Sequence, residues 1–176
     1  FNWVFGGFYM EDSNDVQLYR DNHNVIEFEN FDSIIDVRTE NTSKSVFGQI
    51  NWFMQEKLEF ILGARYSDDT QKFPRTTLPG PPLPVVPFVG TPATSGELTG
   101  KVGFNYFVSD DAMVYATASK GYKAGGVNLL PFHGNFGPEK NFVYEVGFKS
   151  ELLDNTLRLN GSAYYSDYQD FQLLSG

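Results

Sequence analysis

"LEFILGARY", residues 58–66, alternates. Its even positions carry Leu58, Phe60, Leu62, Ala64 and Tyr66, and its odd positions carry Glu59, Ile61, Gly63 and Arg65. A period of two is the pleat of a β-strand with one apolar and one polar face, because successive side chains point to opposite sides. A helix would return its apolar residues every three or four positions, and this stretch does not. Working outward, residues 98–106 set Leu, Gly, Val, Phe and Tyr against Thr, Lys, Gly and Asn. Residues 142–148 set Phe, Tyr, Val and Phe against Val, Glu and Gly, and residues 157–165 repeat the pattern with Leu157 and Leu159 against Arg158 and Asn160. Residues 46–52 follow it with Phe47 as an exception. Residues 2–11 and 113–122 read as strands whose faces the sequence does not assign. The fold class is all-β, with about seven strands in an antiparallel up-and-down meander.

These strands are long. The run 57–72 exceeds the five or six residues usual in soluble sheets and suits the roughly nine to eleven tilted residues that cross a bilayer. The connections alternate in length. Short turns fall at 54–57, 108–111 and 153–156, and long loops are expected at 13–42, 73–96 and 123–140. Every proline lies in the second or third of those loops. In a meander, alternate connections emerge at opposite ends, so the short turns share one end and the long loops the other. That asymmetry is the pattern of an outer-membrane barrel, apolar outside and polar in the lumen. Aromatics gather toward strand ends, with Trp52 and Tyr106 near the short turns and Tyr66, Tyr122 and Tyr165 toward the loops, as interfacial girdles require.

Composition narrows the function classes. A net charge of −9 argues against a nucleic-acid partner, which needs a basic face. Absence of cysteine excludes a disulfide scaffold and cysteine-ligated zinc. The longest charge-free run, 76–96, is crowded with prolines and cannot be a membrane helix. The opening residues show neither a start methionine nor a charged leader region, so a piece of a longer protein is expected. The glycine-rich stretch "ASKGYKAGGVN", 118–128, lacks the lysine spacing, the following Ser or Thr and the helix of a phosphate loop. Gly125 and Gly126 are expected to let the chain leave a strand through positive φ.

Three segments carry a family resemblance: "VYATASKGYKAGGVN" (114–128), "FGPEKNFVYEVGFKSELLDNTLRLNGSAYYSDYQDFQ" (136–172) and "SVFGQINWFMQEKLEFILGARYSDD" (45–69). Their pattern of G-Y-K-x-G-G-x-N, then P-E, then Y-E-x-G-x-K-S-E-L-x-D resembles the C-terminal barrel region of TonB-dependent outer-membrane receptors. "WVFGGFYMED" (3–12) is similar to an earlier strand of such barrels. The resemblance implies a 22-stranded transmembrane barrel with an N-terminal plug and a TonB box. Residues 1–176 are then expected to be a partial barrel wall without plug, TonB box or terminal strand. It further implies TonB-energised uptake of a scarce ligand, such as a ferric siderophore, haem, cobalamin or a carbohydrate. The location implied is the outer membrane of a Gram-negative bacterium, with TonB, the lipid bilayer and lipopolysaccharide as partners. A porin-like channel or adhesin, and a soluble β-sandwich, are the alternatives.

The period then assigns faces. Phe60, Leu62, Val102, Phe104, Tyr144, Val146, Leu157 and Leu159 are expected toward lipid. Glu59, Arg65, Lys101, Asn105, Glu145, Lys149, Arg158 and Asn160 are expected toward the lumen. Lys123, Asn128, His133, Arg20 and His23 are the loop candidates for ligand contact, and Lys120 and Lys123 are expected at the headgroup level. The stretch 11–42 is acidic, with nine carboxylates against Arg20 and Arg38, and reads as a solvated loop. Glu145 and Glu97 each have a lysine four residues on, too far along a strand to pair, so cross-strand partners are expected. No catalytic arrangement, resident cofactor or metal site is expected.

Overall fold

Alternation becomes pairing in the computed structural model, which describes residues 1–22, 31–77, 87–128, 134–154 and 156–173. The strands are β1 (Asn2–Asn22), β2 (Phe31–Met54), β3 (Leu58–Thr77), β4 (Pro87–Phe88), β5 (Ala93–Ser109), β6 (Ala112–Lys123), β7 (Glu139–Leu152) and β8 (Leu157–Gln169). All pair antiparallel in the spatial order β1-β2-β3-β5-β6-β7-β8, and the two-residue β4 pairs with β3 beside that path. No crossover and no helix layer interrupts the seven-stranded meander among the described residues. Among the described residues no helix is long and apolar enough to cross a membrane.

The short turns fall where the sequence placed them. Residues 55–57 join β2 to β3, 110–111 join β5 to β6, and 153–156 join β7 to β8. Gln55, Leu153 and Asp154 adopt left-handed φ of 57°, 53° and 52°. That conformation lets the chain reverse within so few residues. Antiparallel order puts these three turns at one end and the three longer connections at the other.

The long connections differ from expectation. The stretch 13–42 is mostly ladder: β1 and β2 stay in register from Asn2 opposite Asn51 to Asn22 opposite Phe31. Likewise β3 runs to Thr77 and β5 begins at Ala93, inside the expected loop 73–96. Two prolines therefore belong to strands, Pro74 in β3 and Pro87 in β4. Proline cannot donate to a ladder. The β2–β3 register slips where Pro74 stands, between the pairs Glu40–Lys72 and Arg38–Arg75. These extensions escaped the sequence reading because both of their faces carry polar residues, which erases the period-two signal while backbone pairing continues.

Residues directly opposite on neighbouring strands share a face. Glu59 faces Asn105, Lys101 faces Ser119, Thr117 faces Glu145, and Lys149 faces Asn160. One row therefore holds Glu59, Arg65, Lys101, Asn105, Glu145, Lys149, Arg158 and Asn160. The opposite row holds Phe60, Leu62, Val102, Phe104, Tyr144, Val146, Leu157 and Leu159, all exposed, with Leu62 at 59% and Val146 at 58%. The register also assigns the undecided strands. Trp3, Phe5 and Tyr9 fall in the apolar row, and Tyr115, Thr117 and Ser119 in the polar row. The buried apolar residues among those described are few: Val37, Phe73, Ala93 and Val127, one small cluster near the long-loop end.

Candidate functional site

The polar row is a connected surface. Glu59 is its lower hub, 8% exposed: Asn51 donates to its Oε1 and Asn105 to its Oε2, each at 2.6 Å. Gln49 Nε2 donates onward to Asn51 at 2.8 Å. On β6 and β7, Tyr115 Oη donates to Glu145 Oε1 at 2.6 Å, and Lys149 Nζ lies 5.7 Å from the centre of the Tyr115 ring. At the turn end Arg158 pairs with Glu151. The carboxylates of this row thus find partners across strands, as their spacing required.

Halfway up β3, Arg65 sits among aromatics. Its guanidinium carbon lies 5.6 Å from the Phe8 ring centre and 5.9 Å from that of Phe47, and its Nε donates to Ser67 Oγ at 3.0 Å. Phe47, the exception to alternation in β2, therefore has a place in the polar row. A Cβ at Gly6 would lie 2.6 Å from the tip of the Phe47 ring, so glycine there gives the ring its seat. Beside them Ser45 Oγ is buried without a hydrogen-bond partner among the described residues.

The long-loop end is held by a second network. Glu97 takes Lys120 at 2.9 Å and Lys140 at 2.8 Å. Tyr122 Oη donates to Asp69. These partners correct two expectations. Lys120 is committed to Glu97 rather than held at the headgroup level, and Tyr122 is committed to Asp69 rather than to a girdle. Lys120 belongs to the row of Gly100 and Phe142 by register, yet it reaches the row of Glu97. The β5–β6 ladder ends at the Gly100–Lys120 pair while β6 continues along β7, so face no longer follows parity there.

Past β6 the chain folds back over the sheet. Gly125 N donates to Ser95 Oγ at 3.0 Å, and Val127 N to Gln71 Oε1 at 3.1 Å. Gly126 and Phe136 exchange both backbone bonds, at 3.1 and 3.0 Å. Val127 is buried in the cluster with Val37, Phe73 and Ala93. The glycines are needed here for a different reason from the one expected. No described glycine has positive φ. A Cβ on Gly125 would instead strike the Phe136 carbonyl oxygen, and one on Gly126 would lie 2.5 Å from the Phe136 ring and 2.7 Å from Gln71 Oε1. Close approach is the requirement, since only glycine lets the two backbones meet.

Of the loop candidates, Lys123 ends β6 opposite Glu139, exposed and without an ion pair among the described residues. Asn128 Nδ2 donates to Gly134 O at 2.6 Å, which closes its own loop. Arg20 lies in β1 opposite Ser33, inside the ladder rather than in a loop. His23 and His133 lie outside the described residues. Phe8, Phe47, Lys120 and Lys140 were missing from the candidates. The one available signal was Phe47, an aromatic on the wrong parity.

The whole chain, residues 1–176, matches the family model for "TonB dependent receptor-like, beta-barrel". The chain belongs to the TonB-dependent receptor β-barrel family. Members of this family are outer-membrane β-barrels of Gram-negative bacteria, and they are transport receptors. The pesticin receptor of Yersinia pestis is 28% identical over 142 residues, covering 75% of this chain and 20% of that protein. The ferric yersiniabactin uptake receptor FyuA of Yersinia pestis superimposes with a TM-score of 0.80 at 21% identity, over 97% of this chain and 26% of that one. The siderophore receptor PiuA of Acinetobacter baumannii does so at 0.67 and 15% identity, over 92% and 28%. The chain spans about a fifth of the length of the curated relatives it matches. Those likenesses extend over the meander.

Proposed function

We propose that this chain is a section of the wall of a receptor that takes up a ferric siderophore across the outer membrane, energised by TonB. The observation that carries the reading is the division of one sheet into two rows. The row of Phe60, Leu62, Val102, Phe104, Tyr144, Val146, Leu157 and Leu159 is exposed and apolar, and lipid is the solvent that makes such a face favourable. The row of Glu59, Arg65, Lys101, Asn105, Glu145, Lys149, Arg158 and Asn160 then lines the lumen. TonB is the partner on the periplasmic side, and lipopolysaccharide surrounds the long-loop end. The relatives named for ferric yersiniabactin uptake and as a siderophore receptor point to an iron chelate as cargo. The chain contributes binding and passage, with no catalytic step.

The test is growth. A full-length receptor carrying this chain as part of its barrel is expressed in a Gram-negative host stripped of its own siderophore receptors. Iron-limited growth on a panel of ferric chelates, restored with intact TonB and abolished without it, is the expected result. Growth on no member of the panel, or growth independent of TonB, would sink the reading.

A further inference from the structure

The connection between β6 and β7 has two described legs, residues 124–128 and 134–138, and they are tied down from several sides. Gly126 and Phe136 join leg to leg through both of their backbone bonds. Gln172, beyond β8, staples the root: its Nε2 donates to Ala124 O at 3.1 Å and to Gly137 O at 3.0 Å, one acceptor on each leg. Asn135 Nδ2 reaches Thr91 O at 3.1 Å and Pro92 O at 3.2 Å, just ahead of β5. Underneath, Ser95 and Gln71 accept the N–H groups of Gly125 and Val127. Both continue the row of Asn105 and Glu59 toward the long-loop end. Gln71 is itself engaged at its other end, where Nε2 donates to Asn41 Oδ1 at 3.1 Å, and Asn41 Nδ2 donates to Asp12 Oδ2 at 3.3 Å. Asp12, Asn41 and Gln71 stand directly opposite one another on β1, β2 and β3. One hydrogen-bonded row across three strands therefore ends on the backbone of the connection.

A segment that opens and closes comes from the low-stability end of a fold, with few buried apolar contacts and backbone bonds open to water. This one has the opposite character. Val127 is 7% exposed, and its cluster with Val37, Phe73 and Ala93 holds the buried apolar residues among those described. Lifting the legs would bare that cluster to water and separate Gln71 and Ser95 from the donors they accept. We infer that the two legs are a fixed strap across the polar face of the sheet, that the strap stays docked while a chelate binds and passes, and that the entrance opens and closes elsewhere in the receptor. The inference goes beyond the uptake reading above and rests on it for the passage of a chelate.

The experiment bridges the strap to the wall. A Cβ at Gly90 would lie 2.9 Å from Val127 Cγ1, a spacing that suits a disulfide between the two positions. Gly90 N donates to Phe73 O at 3.2 Å, so Gly90→Cys with Val127→Cys ties the strap to β3, and the chain has no cysteine of its own to compete. Cells carrying the full-length receptor are given radio-iron as ferric yersiniabactin, a ferric tris-catecholate or a ferric tris-hydroxamate, with the bridge oxidised and with it reduced. Initial uptake rates are expected to agree within about twofold, whereas a loss of about tenfold or more that a reductant restores would show a moving gate and overturn the inference. Hydrogen exchange on the unsubstituted receptor in detergent decides independently of whether the double variant assembles. The amides of Gly125, Gly126, Val127 and Phe136 are expected to exchange as slowly as the laddered amides of β5 and to be unchanged by added chelate. Exchange at the rate of an open loop, or a change of about tenfold on adding chelate, overturns the inference. An unsubstituted receptor that takes up none of the three chelates contradicts the uptake reading instead, and the docked strap then stands or falls on the ligand-free exchange rates.

Discussion

Phe104→Arg in a full-length receptor is the sharpest probe of which face meets lipid. Phe104 lies five residues before the end of β5 at Ser109. At about 3.4 Å per residue and a tilt near 45°, that places it roughly 12 Å above the short-turn end, close to the middle of an apolar band about 25 Å tall. Its register neighbours are Phe60 on β3 and Ala116 on β6, which offer no counter-charge. An arginine at that depth costs about 2–4 kcal/mol, or about 30- to 900-fold in the folding equilibrium. Asn105→Arg is the matched control, one residue on and on the other face. Asn105 donates to Glu59 Oε2 at 2.6 Å, so an arginine there exchanges one hydrogen bond to the carboxylate for an ion pair. Its expected cost is below about 1 kcal/mol. Urea titration of both variants folded into lipid vesicles, read by the heat-modifiable shift on gels, measures the difference. Equal penalties, or a larger one at Asn105, would refute the facing.

Gly125→Val drives a side chain into the Phe136 carbonyl and is expected to cost about 1–3 kcal/mol locally; hydrogen exchange at the Gly126 and Phe136 amides should lose protection while β3 keeps its own. Glu97→Gln leaves Lys120 and Lys140 facing each other without a full charge between them, and faster exchange at the loop end of β6 and β7 should follow, whereas unchanged exchange would show that the pair contributes nothing. Residues 1–176 expressed alone present β1 and β8 as edges paired on one side only, together with the apolar row, so sedimentation in detergent-free buffer should show aggregates; a monodisperse monomer would contradict the membrane assignment.

The parts of this fold legible in the sequence were those where apolar and polar residues alternate between the two rows of the sheet. Leu58 to Tyr66 could be read because Leu58, Phe60, Leu62, Ala64 and Tyr66 fall on one face and Glu59 and Arg65 on the other. The turns were legible because Asp110-Asp111 and Asp154-Asn155 break the period abruptly. Where both faces meet water, as from Glu11 to Asp15 and their partners, the same ladder continues with no periodic trace, and strand was read as loop. At the site, single residues of the polar row were legible but not their grouping. The Gln71 contact to Val127 spans 56 positions in sequence, and nothing local to either residue encodes it. The glycine pair was read by its conformational freedom, when the constraint was how near Phe136 comes.

The extended ladder divides the wall into two storeys under unequal constraint. In the lower one, each change must keep an apolar row on one side and a polar row on the other. In the upper one, on the β1–β2 ladder from about Glu11 and its partner Thr42 outward, both rows carry polar residues, and away from the cluster of Val37, Phe73, Ala93 and Val127 a substitution answers to strand propensity and its cross-strand neighbour, about 1 kcal/mol at most. Outside that cluster the hairpin can therefore be rewritten residue by residue while the lower storey, with its apolar row, is left untouched.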